Sequence, residues 1–133
     1  NYLGYMLVDR NERLPEGLAM IQKALDQDPQ NGAYLDSLGW AYYRLDKLDD
    51  AAKYLLLAIE KTGKDPTVHD HLADVLFKQG KLKEAVSAWE RSLSEWAAVA
   101  PSDKDDKEVA KIQKKLEGAK VRLAKETGTR PKR

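Results

Sequence analysis

The hexapeptide HDHLAD, residues 69–74, holds both histidines of the chain and two of its aspartates. On a helix, Asp70 and Asp74 stand one turn apart and His71 and Asp74 three residues apart, so these three share a face on which acid/base or metal chemistry is conceivable. His69 and His71 are two residues apart, about 200° around the helix, and cannot chelate one ion together. A transition-metal site needs more ligands of fixed geometry than this face offers. The pattern instead predicts His69 packed within a helix pair and His71 exposed on a binding face. The sequence contains no glycine-rich phosphate loop, no nucleophile elbow and no cysteine. These residues therefore predict no enzyme, no cofactor and no metal.

The elements that position this hexapeptide are read as helices. Hydrophobic residues make up 42% and charged residues 34% of the 133 positions, with only eight glycines and five prolines, a balance that predicts an all-α protein with room for one domain or a short repeat array. No apolar run approaches the roughly 20 residues that cross a membrane, so no membrane insertion by this stretch is expected. The absence of cysteine leaves cytoplasmic and exported locations equally open. The chain opens on NYLGYMLV, already inside an apolar pattern, and reads as a piece of a longer protein.

Self-comparison shows a repeat. An offset of 34 aligns Leu38 with Leu72, Gly39 with Ala73, Tyr42 with Leu76, Ala51 with Ala85, Leu55 with Trp89 and Ile59 with Leu93. The same step backward aligns Gly17 with Ala51, Ile21 with Leu55, Ala24 with Ala58 and Leu25 with Ile59. Leu3, Gly4 and Leu7 match Leu38, Gly39 and Tyr42 only at an offset of 35, which puts one extra residue in the loop DRNERLP. Each unit reads as two helices joined by a short turn, RLDKLDD or KQGKLKE. Gly39 costs about 1 kcal/mol of helix propensity relative to alanine. Small residues at Gly39 and Ala51 repay it by letting the two axes approach. Leu35, Leu38 and Tyr42 fill one side of that contact, and Leu48, Leu55 and Ile59 the other. Pro29 and Pro66 mark unit boundaries, where proline suits a first turn and ends the preceding helix.

The segments LGWAYYRLDKLDDAAKYLLLA and LADVLFKQGKLKEAVSAWERS resemble the tetratricopeptide repeat family, and NGAYLDSLGWAYYRL resembles the C-terminal end of long bacterial members. The third repeat departs from the family pattern with Ala73 for glycine, Leu76 for the aromatic and Ser92 for the last alanine; the first has Gly17 where alanine is usual. The resemblance implies a right-handed superhelix of antiparallel helix pairs. It comprises a truncated first unit (1–31), a second (32–65) and a third with an extended second helix (66–101). Beyond the period, Val109, Ile112, Leu116, Ala119 and Leu123 form an apolar stripe, with Asp105 or Asp106 as N-cap, and predict a capping helix over 102–126 followed by a disordered basic tail, 127–133.

The resemblance further implies a concave face, lined by the first helix of each unit, that binds an extended peptide or a partner's helix. Rotation off the core stripe assigns Ala33, Asp36, Ser37, Trp40, Tyr43 and Arg44 to that face in the second unit. The 34-residue step then gives Thr67, Asp70, His71, Asp74, Phe77 and Lys78 in the third, and the first contributes Tyr5, Val8 and Asp9. Aromatic anchors and aspartates suit a basic or apolar ligand. Some family members hold a C-terminal carboxylate in a clamp of lysine, asparagine and arginine; Asp36, Ser37, Trp40, Asp70, His71 and Asp74 do not supply one.

Charge is uneven, net −4 over residues 1–102 and +5 over 103–133. The basic segment lacks interleaved aromatics and is interrupted by acids, so it reads as a solvated helix, with no nucleic-acid partner. Two functions emerge: a protein-binding module, or a structural role in which this stretch caps a longer array or self-associates. An apolar N-terminal edge is compatible with a homodimer.

Overall fold

The computed structural model describes residues 3–4 and 13–128. The expected positions Tyr5, Val8 and Asp9, and the tail 129–133, lie outside the described residues. The described helices are α1 (Leu14–Gln27), α2 (Gly32–Arg44), α3 (Leu48–Thr62), α4 (Pro66–Lys78), α5 (Leu82–Ala97) and α6 (Asp106–Thr127). No strand occurs among the described residues, and the protein is an all-α helical repeat. It divides into two compact units, residues 1–63 and 64–133.

In the first unit α1 packs on α2 and α2 on α3. Ile21, Leu38 and Ala41 form its buried centre, with Leu14, Leu18, Leu25, Trp40, Tyr42 and Tyr54 against it. Asn31 caps α2 by accepting from the Tyr34 backbone N–H at 3.1 Å. Pro29 lies in the turn before that cap rather than in a helix. The glycine at position 39 is required by contact: a Cβ there would stand 2.7 Å from Leu55 Cγ and 3.2 Å from the Ala51 carbonyl oxygen. Gly4 repeats this arrangement, with a Cβ meeting the Gly17 carbonyl at 3.0 Å. The positions aligned at an offset of 35 thus make the same close approach.

In the second unit α4 packs on α5 and α5 on α6. Pro66 opens α4, and Asp65 caps it by accepting from Thr67 N–H at 2.9 Å. Ala73 and Ala85, both fully buried, stand where Gly39 and Ala51 do. Trp89 replaces Leu55 and is 1% exposed. Ser92, a departure from the family pattern, donates its hydroxyl to the Pro66 carbonyl at 2.7 Å and ties the middle of α5 to the start of α4.

The α2–α3 and α4–α5 turns are built alike. Lys47 N–H donates to the Tyr42 carbonyl and Lys81 N–H to that of Leu76, each at 2.9 Å, around a left-handed residue that is Asp46 (φ 62°) in one and Gly80 (φ 80°) in the other.

Asp105 caps α6, accepting from the N–H groups of Lys107 and Glu108. Ile112, Leu116, Ala119 and Ala124 are its buried residues, with Val109 and Leu123 half-buried beside them. The helix runs through Thr127 and ends on Gly128 (φ 71°), so the first residues of the expected disordered tail are ordered.

Candidate functional site

The first-unit candidates lie on α2. Asp36, Trp40 and Tyr43 fall at i, i+4 and i+7 and are half-buried, as is Arg44 one residue on. Trp40 and Tyr43 stack with ring centroids 4.7 Å apart and planes 20° from parallel. Trp40 also touches the buried centre, so its ring is shared between core and surface. Ala33 is exposed, but Ser37, expected on the same face, is buried and donates to the Ala33 carbonyl at 3.0 Å. A hydroxyl one turn from its own backbone acceptor turns inward easily.

The second-unit candidates lie on α4, in a different environment. Asp70 and His71 are buried, 9% and 6% exposed, and the expectation of an exposed His71 is overturned. The reason is coverage: nine of the 13 residues of α4 are buried, against six of 13 in α2, leaving little of its circumference exposed. His69 is buried, Phe77 half-buried, and Thr67 and Lys78 exposed.

What meets the aspartates is a lysine from α6. Lys115 Nζ donates to Asp70 Oδ1 at 2.7 Å and to Asp74 Oδ1 and Oδ2 at 3.0 and 3.3 Å. Trp89 Nε1 donates to the same Asp70 oxygen at 2.9 Å, and the ammonium lies 5.7 Å from the Trp89 ring centroid. Two turns further along α6, the Arg122 guanidinium lies 5.3 Å from the Phe77 ring centroid, and Phe77 in turn tilts against Trp89 at 5.6 Å.

One ammonium cannot fully serve two carboxylates. Burial and the neighbouring Asp70 charge push the Asp74 carboxyl up to about 6, against a smaller opposing pull from Lys115 and His71. Burial pulls Lys115 down, but Asp74 and Asp70 together more than offset this and hold its pKa above the ordinary lysine value. The lysine is firmly charged, and Asp74 is the carboxylate left short of compensation.

Lys115, Arg122 and Trp89 were absent from the expected site. Their signal is a matched spacing: cations seven residues apart on α6 face acids four apart and an aromatic seven from the first acid on α4. Among the described residues no group of three or more His, Cys, Asp or Glu side chains could hold a metal ion. No helix among them is long and apolar enough to cross a membrane.

Comparison with known proteins places these helix pairs. Residues 7–66 match the tetratricopeptide repeat family. Over that stretch the chain is similar to tetratricopeptide repeats. A tetratricopeptide repeat-containing protein of Pseudomonas aeruginosa is 43% identical over 74 residues, a stretch covering 56% of this chain and 12% of that protein. Among solved structures, PcrH in complex with the chaperone binding region of PopD superposes with a TM-score of 0.79 at 19% identity, covering 92% of this chain and 89% of that one. The Yersinia enterocolitica type III secretion chaperone SycD, in complex with a peptide of the translocator YopD, gives 0.78 at 17% identity, covering 92% and 90%. The first tetratricopeptide repeat domain of Spaghetti (RPAP3), bound to the HSP90 peptide SRMEEVD, gives 0.65 at 23% identity, covering 87% and 89%. At these identities the structural matches speak to the tetratricopeptide repeat fold.

Proposed function

We propose that this tetratricopeptide repeat chain is a protein-interaction module that binds a segment of a partner protein, with the α2 face as its contact surface. The observation that carries this reading is the Trp40–Tyr43 stack, half-exposed, with Asp36 one turn before it. Stacked rings offer a rigid apolar platform of the kind that dominates binding energy at interfaces. Asp36 favours a segment that presents a basic side chain beside its apolar ones. The structural neighbours crystallised with peptide segments support the reading by analogy of fold.

The test is direct binding of a panel of synthetic leucine-containing peptides, lysine-rich or glutamate-rich, to the chain and to its Trp40→Ala/Tyr43→Ala variant. The expected result is a preference for basic over acidic peptides and at least tenfold weaker binding by the variant at equal helicity, or about 1.4 kcal/mol. Equal binding by both proteins would abandon α2 as the contact surface.

A specific observation favours a second, structural reading for the other unit. Because α6 covers part of α4 and α5, it can act as the cover that ends a repeat array.

A further inference from the structure

The contacts of α6 exceed what a hydrophobic cover needs. Ile112, Leu116, Ala119 and Ala124 supply the apolar burial. The Asp70–Lys115–Asp74 cluster adds charges taken out of water, an arrangement that commonly contributes little to stability and more to the choice of partner and register. The pattern is also directional: Lys115 meets Asp70 and Asp74, and Arg122 meets Phe77, so α6 runs alongside α4 in the same sense. The connection that brings α6 there, Ala98–Asp105, is exposed apart from a half-buried Val99 and contains only the short 3-10 turn Pro101–Asp103. At about 3.4 Å per residue, eight residues span about 27 Å, enough slack for α6 to leave without unravelling α5.

We propose that α6 is a resident ligand of α4: the Asp70/Asp74 pair with Trp89 and Phe77 is a seat for a helical segment carrying two cations seven residues apart, and a partner with that pattern gains α4 by displacing α6. The occupant is argued from charge complementarity, with acids and ring faces on α4 and α5 meeting lysine and arginine from α6. The inference concerns the second unit and does not rest on binding at α2.

The probe is a fluorescently labelled synthetic peptide of residues 106–127, titrated against the full 133-residue chain and read by anisotropy. Lys115→Ala loosens the resident helix while the peptide keeps its own lysine. It is expected to bind the peptide at least tenfold more tightly than wild type, with faster amide exchange across residues 109–124. Lys115→Arg is expected to behave as wild type, and Asp70→Asn/Asp74→Asn added to Lys115→Ala to abolish the gain. Lys115→Met, which keeps an apolar stem beside Trp89, replaces the alanine variant if that one loses helicity. Equal or absent peptide binding by wild type, Lys115→Ala and Lys115→Met would overturn the proposal, whether or not exchange across α6 changes. So would a gain that survives removal of the aspartates. The gain on Lys115→Ala is expected to persist in a Trp40→Ala/Tyr43→Ala background, where any binding lost belongs to α2, so failure at α4 and failure at α2 are read separately.

Discussion

The two units use one repeat register to opposite ends. At the position of Asp36, Trp40 and Tyr43 on α2, the second unit has Asp70, Asp74 and Phe77 on α4. The first set is half-buried and built on a stacked aromatic pair; the second is drawn into contact with Lys115 and Arg122 of its own unit. Exchanging Trp40 for Asp74 at the centre of the face converts an apolar platform into a site that demands a cation. A repeat fixes where a side chain stands, and the neighbouring element decides whether that position is spent on structure.

The largest expected difference between the units concerns their core contacts. Trp89→Ala removes a buried indole and its hydrogen bond to Asp70, and is expected to cost about 4 kcal/mol. Urea unfolding with exchange mapped by unit is expected to show the loss concentrated in residues 64–128. An even loss across both units would mean that they unfold together.

Next comes the small residue at the helix crossing. Gly39→Ala gains about 1 kcal/mol of helix propensity but drives a Cβ to 2.7 Å from the fully buried Leu55, for a net loss of about 2 kcal/mol. The mirror change Ala73→Gly is expected to lose about 1–2 kcal/mol, through propensity and the buried methyl it removes. Thermal melts of the two variants check the pair, and a stabilised Gly39→Ala would dissolve the contrast.

Protonation sharpens the comparison further. The folded-state carboxyl of Asp74 titrates near 6 against an ordinary 3.8, so the folded protein holds a proton that the unfolded chain has released between those values. This group's contribution therefore falls as pH rises from about 4 to about 6 and is flat above. Asp74→Asn is expected to remove that slope and to stabilise the chain at pH 7 by about 1–2 kcal/mol. Melting series from pH 4 to 7.5 measure it; an unchanged slope would place the titration elsewhere.

The smallest effect lies in the turns. Asp46 holds a left-handed φ of 62° where its counterpart is Gly80. Asp46→Gly is expected to gain about 0.5 kcal/mol and Gly80→Ala to lose about 1 kcal/mol, both read from denaturation midpoints.

Much of this was legible in the sequence because it depends on local period. The helix pairs, the close approach at Gly39, the cap at Asp105 and the apolar stripe of α6 all follow from spacings within about 40 residues. Ser92 read only as a departure, since its acceptor is a backbone carbonyl 26 residues away. The Asp70–Lys115 contact spans 45 residues between elements of unlike sequence, where no repeat offset points. His71 was misplaced for the same reason: helical rotation gives an angle around α4 but not which angles are covered.

At both Gly39 and Gly4 a carbonyl group stands among the nearest atoms, beside the Leu55 side chain at one and the Met20 Cβ at the other, and a carbonyl has no rotamers and no alternative sizes. The gauge is therefore in part the backbone itself. The sequence from Gly4 to Gly17 is one residue longer than that from Gly39 to Ala51, yet Gly4 meets the Gly17 carbonyl as Gly39 meets that of Ala51. The sequence separation of the contacting positions varies while the gap does not. An array copied from this unit would accept a whole inserted amino acid in a loop more readily than a single methyl group at the crossing.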